Sequence, residues 1–386
     1  MIRMLNACTL EVDEAEVALA ELLQQLDWEN NRLPNAAAFL TCSCDFLETD
    51  VLRHVCDALP FPVVGCTTLA NAAPREAGTM MLCLTVLCSD DCQFATALTP
   101  PLGEELAGPI EAAYHKAAAT LPAPPALVLA FMPMIRKVGG ELILDALDAV
   151  AGGAPIFGTI ACDRDTSEYE NTFTIYEGEG SRDAMSLLLI SGNIAPRFFV
   201  TSASEDKVQK QKAIITASQG SVLQQVNNIS TKEYLRTLGL VQGDGIEGMS
   251  AIPFVVNYND GTQPVARAIY MLTEEGYAVC GGAMPVNATL SIGSIDYEDV
   301  LLTARQTCGE ILATGKTNGL ILFPCLGRNM VLGADYMAEI DAVRESLGGA
   351  LPFHLAYSGG EVCPVYNEEG AALNRFHNFT FIACVF

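Results

Sequence analysis

Three strings near the C-terminus carry side chains able to bind or to react: Phe323-Pro324-Cys325-Leu326-Gly327-Arg328, Tyr357-Ser358-Gly359-Gly360-Glu361 and Arg375-Phe376-His377-Asn378. Each adjoins an apolar run of strand length, and in open α/β sheets the loops leaving strand C-termini form the ligand crevice. If those strands lie side by side, Cys325, Arg328, Tyr357, Glu361, His377 and Asn378 converge. An arginine fork suits a carboxylate, a glutamate suits an ammonium group, and an asparagine offers both a donor and an acceptor. The set therefore reads as a binding site for a small polar molecule. The same residue types also admit a structural reading, with Arg328 and Glu361 as an ion pair, Asn378 and His377 satisfying their neighbours, and Cys325 as a packed thiol.

An enzymatic alternative makes Cys325 a nucleophile, His377 its base and Glu361 the group that orients the imidazole, as in a cysteine-dependent hydrolase. Nothing in the spacing demands it, and the chain has no nucleophile-elbow string, Walker loop or HExxH motif. Pro324 precedes the thiol and no helix start is read after it, which argues against a lowered thiol pKa. No catalytic residue and no cofactor is expected.

A second pocket is read from Cys42-Ser43-Cys44-Asp45, Gly65-Cys66-Thr67-Thr68 and Ala161-Cys162-Asp163, with Cys66, Thr67, Thr68 and Asp163 as its candidate residues. Turn and cap duties are the alternative for these hydroxyls and carboxylates. No metal site is expected, because the 14 cysteines are scattered through apolar runs, no C-x-x-C pair occurs and only 4 histidines are available.

The elements that must position these groups recur three times as strand, loop, helix, Gly/Pro break and second strand. The first copy takes 36–41, 50–59 and 61–65, with a further strand at 80–87. The second takes 126–132, 140–150 and a strand opening at Pro155, followed by 172–176 and 184–191 as a hairpin. The third takes 319–323, a helix over 333–347 and a strand over 351–357, with 380–386 closing the chain. Leu142, Leu144, Leu147 and Val150 share one helical face, as do Met337, Ile340, Val343 and Leu347. A polar stretch at 205–212 separates the second copy from a region of strands at 265–272 and 277–283, a turn at Asn227-Asn228, and helices at 231–238, capped by Thr231, and 299–313. The expected fold is α/β with an α+β tendency: two domains, 1–210 and 211–386, of mixed and largely antiparallel sheets flanked by helices, with repeated β-α-β units.

Half of the 386 residues are hydrophobic, which supports compact cores and excludes a disordered chain. With 46 acidic against 21 basic residues the net charge is -25, so nucleic acid and anionic membrane surfaces are poor partners. The apolar runs at 126–134 and 186–190 are too short to span a bilayer, and the acidic N-terminal segment does not read as a signal peptide. A cytoplasmic location is expected, in keeping with unpaired thiols.

Several strings also resemble the FIST proteins, a family named for F-box and intracellular signal transduction. In the N-terminal part they are Val63-Val64-Gly65-Cys66-Thr67-Thr68, Pro155-Ile156-Phe157-Gly158 and the segment with Asp183 before an apolar strand. In the C-terminal part they are LFPCLGRN, AYSGGEVCP and FHNFTFIACVF. The resemblance covers roughly residues 30–200 as a FIST N-like domain and 220–386 as a FIST C-like domain. This chain departs from the family's usual pattern at Pro324, where serine is common, and at Gly360, where an aromatic residue is common. The resemblance implies a bacterial-type sensory module for small ligands, amino acids among them, whose signal passes to a separate output protein, since no output domain fits in this chain. A ligand-free scaffold is the further alternative, which an exposed apolar patch would mark.

Overall fold

A computed structural model describes residues 2–135, 138–163, 170–241, 251–315, 317–349 and 351–386; Met1, where the N-terminal reading begins, lies outside them. The first unit comprises β1 (Ile2–Thr9), α1 (Ala15–Leu26), α2 (Trp28–Asn31), β2 (Asn35–Cys42), α3 (Val51–Ala58), β3 (Val63–Thr67), β4 (Asn71–Ala72), β5 (Ala77–Gly78) and β6 (Leu82–Ser89). The second repeats that order with β7 (Gln93–Leu98), α4 (Ala107–Ala118), β8 (Leu127–Met132), α5 (Gly140–Ala151), β9 (Ile156–Ile160), β10 (Thr174–Tyr176), β11 (Glu179–Ser181) and β12 (Ser186–Ser191).

The third unit opens with β13 (Arg197–Thr201) and is then interrupted. The interruption contains β14 (Ala213–Gln219), β15 (Val222–Val226), β16 (Ile229–Ser230), α6 (Thr231–Thr237), β17 (Phe254–Asn257), β18 (Val265–Arg267), β19 (Ile269–Leu272), β20 (Ala278–Cys280) and β21 (Thr289–Ile292). The unit resumes with α7 (Tyr297–Ala313), β22 (Leu320–Pro324), α8 (Leu326–Leu332), α9 (Ala338–Leu347), β23 (Phe353–Ala356), β24 (Glu361–Tyr366), β25 (Ala372–His377) and β26 (Phe381–Val385).

Each unit builds a mixed sheet around one parallel pair, β2 with β3, β8 with β9, and β22 with β23. The last strand of each unit returns antiparallel beside the first member of that pair, and the opening strand covers it. The hairpin after each parallel pair leaves its own sheet. Hairpin β4–β5 pairs with β23, β10–β11 with β3, and β24–β25 with β9, so every unit completes the sheet of another in a closed cycle. The second and third sheets consequently draw strands from both sides of residue 210.

The inner faces of the three sheets share one core, in which Phe39 and Val64 meet Leu129 and Phe157 of the second unit and Ile321 and Phe323 of the third. Their outer faces are covered by α1 and α3, by α4 and α5, and by α7 and α9. Cover on both sides explains why β6, LCLTVLCS, is buried at every position and is apolar at all but Thr85 and Ser89 instead of alternating. The interrupting strands form a fourth sheet with a separate core around Ile215, Leu223, Leu235, Phe254 and Leu290.

The expected α/β class with mixed sheets and three β-α-β copies is what the chain adopts. Several local readings differ. Residues 174–176 make their hairpin with β11, whereas Ser186–Ser191 lies in another sheet between β7 and β8. The tight pair of strands was hidden because β11, EGS, has no apolar residue to announce it. The helix read from residue 333 begins at Ala338, behind α8 and a short 3-10 turn. On α5 the buried face is Ile143, Leu144, Leu147 and Ala151, which leaves Leu142 exposed. Ser230, not Thr231, caps α6, its side chain accepting from the Glu233 N–H.

Candidate functional site

The C-terminal ends of the three parallel pairs are tied by three equivalent backbone bonds. The Thr68 N–H donates to the Cys42 carbonyl at 2.8 Å, Ala161 to Met132 at 2.9 Å, and Ser358 to Pro324 at 2.8 Å. The units are then joined around the cycle, Cys162 N–H donating to the Thr67 carbonyl at 3.1 Å and Gly359 N–H to the Ile160 carbonyl at 3.0 Å. At the third junction the Tyr357 carbonyl accepts the Thr68 hydroxyl at 2.8 Å and the Cys162 thiol at 3.2 Å. Gly359 eases the close packing there, since a Cβ would lie 2.8 Å from the Met134 methyl and 3.0 Å from the Ala161 carbonyl oxygen. The strand-end residues assigned to two separate pockets therefore meet at one place.

Within the second-pocket set, Thr68 belongs to this ring. Thr67 accepts the Phe173 N–H on its hydroxyl at 2.9 Å, and Asp163 approaches the Cys44 thiol at 3.8 Å. Cys66 is packed in the shared core instead.

The C-terminal set is buried throughout. Arg328 lies on α8, not in a loop, and its partner is Glu339: Nε and one terminal nitrogen donate to Glu339 Oε1 at 2.8 and 2.6 Å. That terminal nitrogen also reaches the Val300 carbonyl and the Thr303 hydroxyl, each at 2.9 Å, while the other is left without a partner. Tyr357 donates its hydroxyl to Glu339 Oε2 at 3.0 Å, which joins the strand-end ring to the Arg328 ion pair. The Arg328–Glu361 pair of the structural alternative is replaced by this one because α9 carries Glu339 inward, eleven residues after the arginine.

Glu361 instead accepts the Thr380 hydroxyl at 2.7 Å on Oε2, and its Oε1 has no partner. Burial pushes its carboxyl up to about 8, so at neutral pH it is largely the uncharged acid. His377, paired with Glu361 across the β24–β25 ladder, bonds through Nε2 to the Cys363 carbonyl at 3.1 Å. Burial drives its pKa down to about 3, so the ring is neutral. Asn378 faces the fourth sheet, accepting the Ala268 N–H at 3.3 Å, and a Cβ on Gly281 would collide with its side chain.

Cys325 caps α8, so a helix start does follow the thiol; its sulfur accepts the Gly327 N–H at 3.4 Å. Burial first, and the neighbouring Glu361 second, nonetheless raise the thiol well above its ordinary value. At neutral pH the Cys325 thiol is thus protonated and the His377 ring neutral, with its Nε2 engaged by the Cys363 carbonyl.

Two features went unread in the sequence. Fully buried Arg267 donates to the Phe376 carbonyl at 2.6 Å, to Glu141 at 3.3 Å and to the Tyr258 hydroxyl, fastening the fourth sheet to α5 and β25. A lone arginine inside Val265-Ala266-Arg267-Ala268-Ile269 is the signal that could have found it. The other is a cavity of about 320 Å³ between α3 and the incoming β10–β11 hairpin, whose wall includes Cys44, Glu48, Asp50, Arg53, Phe173 and Arg182. Arg53 pairs there with Glu179 at 3.0 Å, and the Arg182 guanidinium sits 5.1 Å from the centre of the Phe173 ring. Of the residues read for a second pocket, Thr67 and Asp163 touch the wall of this cavity through Phe173 and Cys44, and none of the four lines it.

Mixed sheets completed by exchanged hairpins, with polar groups gathered at joined strand ends, define an α/β protein of fused repeats. The chain belongs to the FIST family, matching the FIST N domain over residues 36–229 and the FIST C domain over residues 230–364. FIST domains are sensory and signal-transduction domains, which gives the chain a general sensory role; the F-box in the longer name is a matter of naming. No curated protein matches the sequence. Among solved structures, a cyanuric acid hydrolase from A. caulinodans is similar at 10% identity over 100% of this chain and 99% of that one, with a TM-score of 0.38.

Proposed function

We propose that the protein is a cytoplasmic sensor that binds a small polar ligand, an amino acid, and passes the signal to a separate protein without chemically changing the ligand. The observation that carries this reading is the 320 Å³ cavity beside the strand ends, whose wall holds charges of both signs. Arg182 offers a guanidinium to a carboxylate, and Glu48 and Asp50 offer carboxylates to an ammonium group. The absence of turnover is supported by the protonated Cys325 thiol and the neutral His377. Free thiols at all 14 cysteines support a reducing compartment.

The buried residues Cys325, Arg328, Tyr357, Glu361, His377 and Asn378 serve in this reading as the responding half of the site. A hydrogen-bonded path leads from Phe173 through Thr67, Cys162 and Tyr357 to Glu339 and Arg328. The test is a thermal-shift screen of amino acids, short peptides and small carboxylates, in which a ligand at a hundred times its Kd adds about 2.7 kcal/mol. Binding by an amino acid is expected, lost in Arg182→Ala and retained with a smaller shift in Tyr357→Phe. Silence from the whole screen overturns the reading in favour of the ligand-free scaffold.

A further inference from the structure

Apart from the ligand cavity, the shared core holds a polar cluster where the first and third sheets meet. His354, on β23, bonds the Thr41 hydroxyl through Nε2 at 2.9 Å and the Thr85 hydroxyl through Nδ1 at 2.8 Å. Its Nδ1 also lies 3.4 Å from the Cys83 sulfur, and the Cys83 sulfur lies 3.4 Å from that of Cys8. Among the described residues no other two thiols are in such contact.

The backbone around this pair has the geometry of a cross-link. Cys8 and Cys83 stand directly opposite each other in the antiparallel β1–β6 ladder. The Cys8 N–H and carbonyl turn away from β6 and bond the Gln25 side chain, at 3.0 and 2.6 Å. The two cysteines are therefore a non-hydrogen-bonded pair, the kind whose Cα atoms approach to about 4.5 Å. That separation lies inside the range of about 4.4–6.8 Å that a disulfide spans. The strand bearing Cys8 is the edge of its sheet, paired on one side only, so it opens more easily than the strands paired on both sides.

We infer that Cys8 and Cys83 form a redox modification site, closing to a cross-strand disulfide with hydrogen peroxide as the oxidant. One thiolate attacks the peroxide, giving a sulfenic acid and releasing hydroxide, which takes up a proton to leave as water. The second sulfur then displaces the sulfenic oxygen as a second water, so two thiols lose two hydrogens and one peroxide becomes two waters. The His354 ring neighbours the pair but stays neutral, burial holding its pKa down to about 3, so it does not activate the thiol as an imidazolium would. Reaction accordingly passes through local opening of the β1 edge strand, and it is slow compared with an exposed thiol. Closure staples the first strand across 75 residues of sequence and takes the Cys83 thiol away from His354.

The test is chemical mapping of the full chain. The protein is incubated with peroxide under native conditions, denatured, alkylated and digested, with a sample treated with a reducing thiol alongside. The expected product is a peptide pair joining Cys8 to Cys83, lighter by two hydrogens and released by the reductant, with the thermal midpoint of the oxidised protein raised. Cys8→Ser and Cys83→Ser each abolish that product and leave the remaining partner alkylatable. The inference is overturned if Cys8 and Cys83 both remain alkylatable after other cysteines have oxidised, or if Cys8 links to any cysteine other than Cys83. Because the first mapping uses the unaltered protein, a variant that failed to fold would not shield the inference.

Discussion

Three buried titratable side chains give the protein a pH profile with opposed limbs. Glu361 is raised from 4.5 to about 8 by burial, so the folded chain holds a proton there that the unfolded chain releases. Its contribution is fully present below pH 4.5 and is lost as the pH climbs towards 8. His354 and His377 are both lowered from 6.5 to about 3, so their contribution is present above pH 6.5 and is lost as the pH falls towards 3. From these three groups, urea unfolding should show greatest stability near pH 6.5, with a decline on the alkaline side up to about 8. Glu361→Gln keeps an acceptor for Thr380 and should flatten the alkaline limb while steepening the rise between pH 4.5 and 6.5; an unchanged alkaline decline would show that another group causes it. At this scale the sequence was legible in residue type but not in partnership. Nothing local distinguishes Glu361 from Glu339 as the mate of Arg328, because the choice depends on how α9 packs after α8.

Elements were more legible than partners. Strand β3, helix α3 and the equivalents in the other units follow from apolar spacing and Gly/Pro breaks, and Asn227-Asn228 takes the positive φ angles that its turn needs, 52° and 66°. The exchange of hairpins was not readable, since β4 has two residues and β10 three, too few for any period, and their partners lie in other units. Two equivalent glycines were read in strand, loop and family strings, but not for the close approach they permit. Gly65 on β3 and Gly158 on β9 occupy the same register in their parallel pairs, and a Cβ on either would collide with the carbonyl oxygen of Leu40 or Ala130. The third unit has Leu355 at that register. Gly65→Ala and Gly158→Ala should each destabilise the protein by about 1–3 kcal/mol, towards the upper end because the obstacle is backbone. Matching urea midpoints for the variants and the parent would refute the close approach.

For the whole molecule, the cyclic exchange sets what can fold alone. A fragment of residues 1–210 lacks β24 and β25 beside β9 and leaves β4–β5 and β13 without their sheet. A fragment of residues 211–386 lacks β13, β4 and β5. Neither should give a compact, cooperatively melting species by size exclusion and circular dichroism, while co-expression of the two should restore one; a stable fragment on its own would refute this dependence. The composition reading told of compact cores and a strongly acidic exterior, but the fourth sheet and its Arg267 fastening lay beyond it, since one buried arginine does not announce which surface it will meet. The exchange also constrains biosynthesis. The first sheet can close once Ser181 has left the ribosome, but the second waits for Glu361–His377 and the third for Phe381–Val385. From Ser191 until β24 and β25 emerge, the nascent chain carries the second sheet unfinished with β9 as an open apolar edge, which makes it a client for holding chaperones over that stretch.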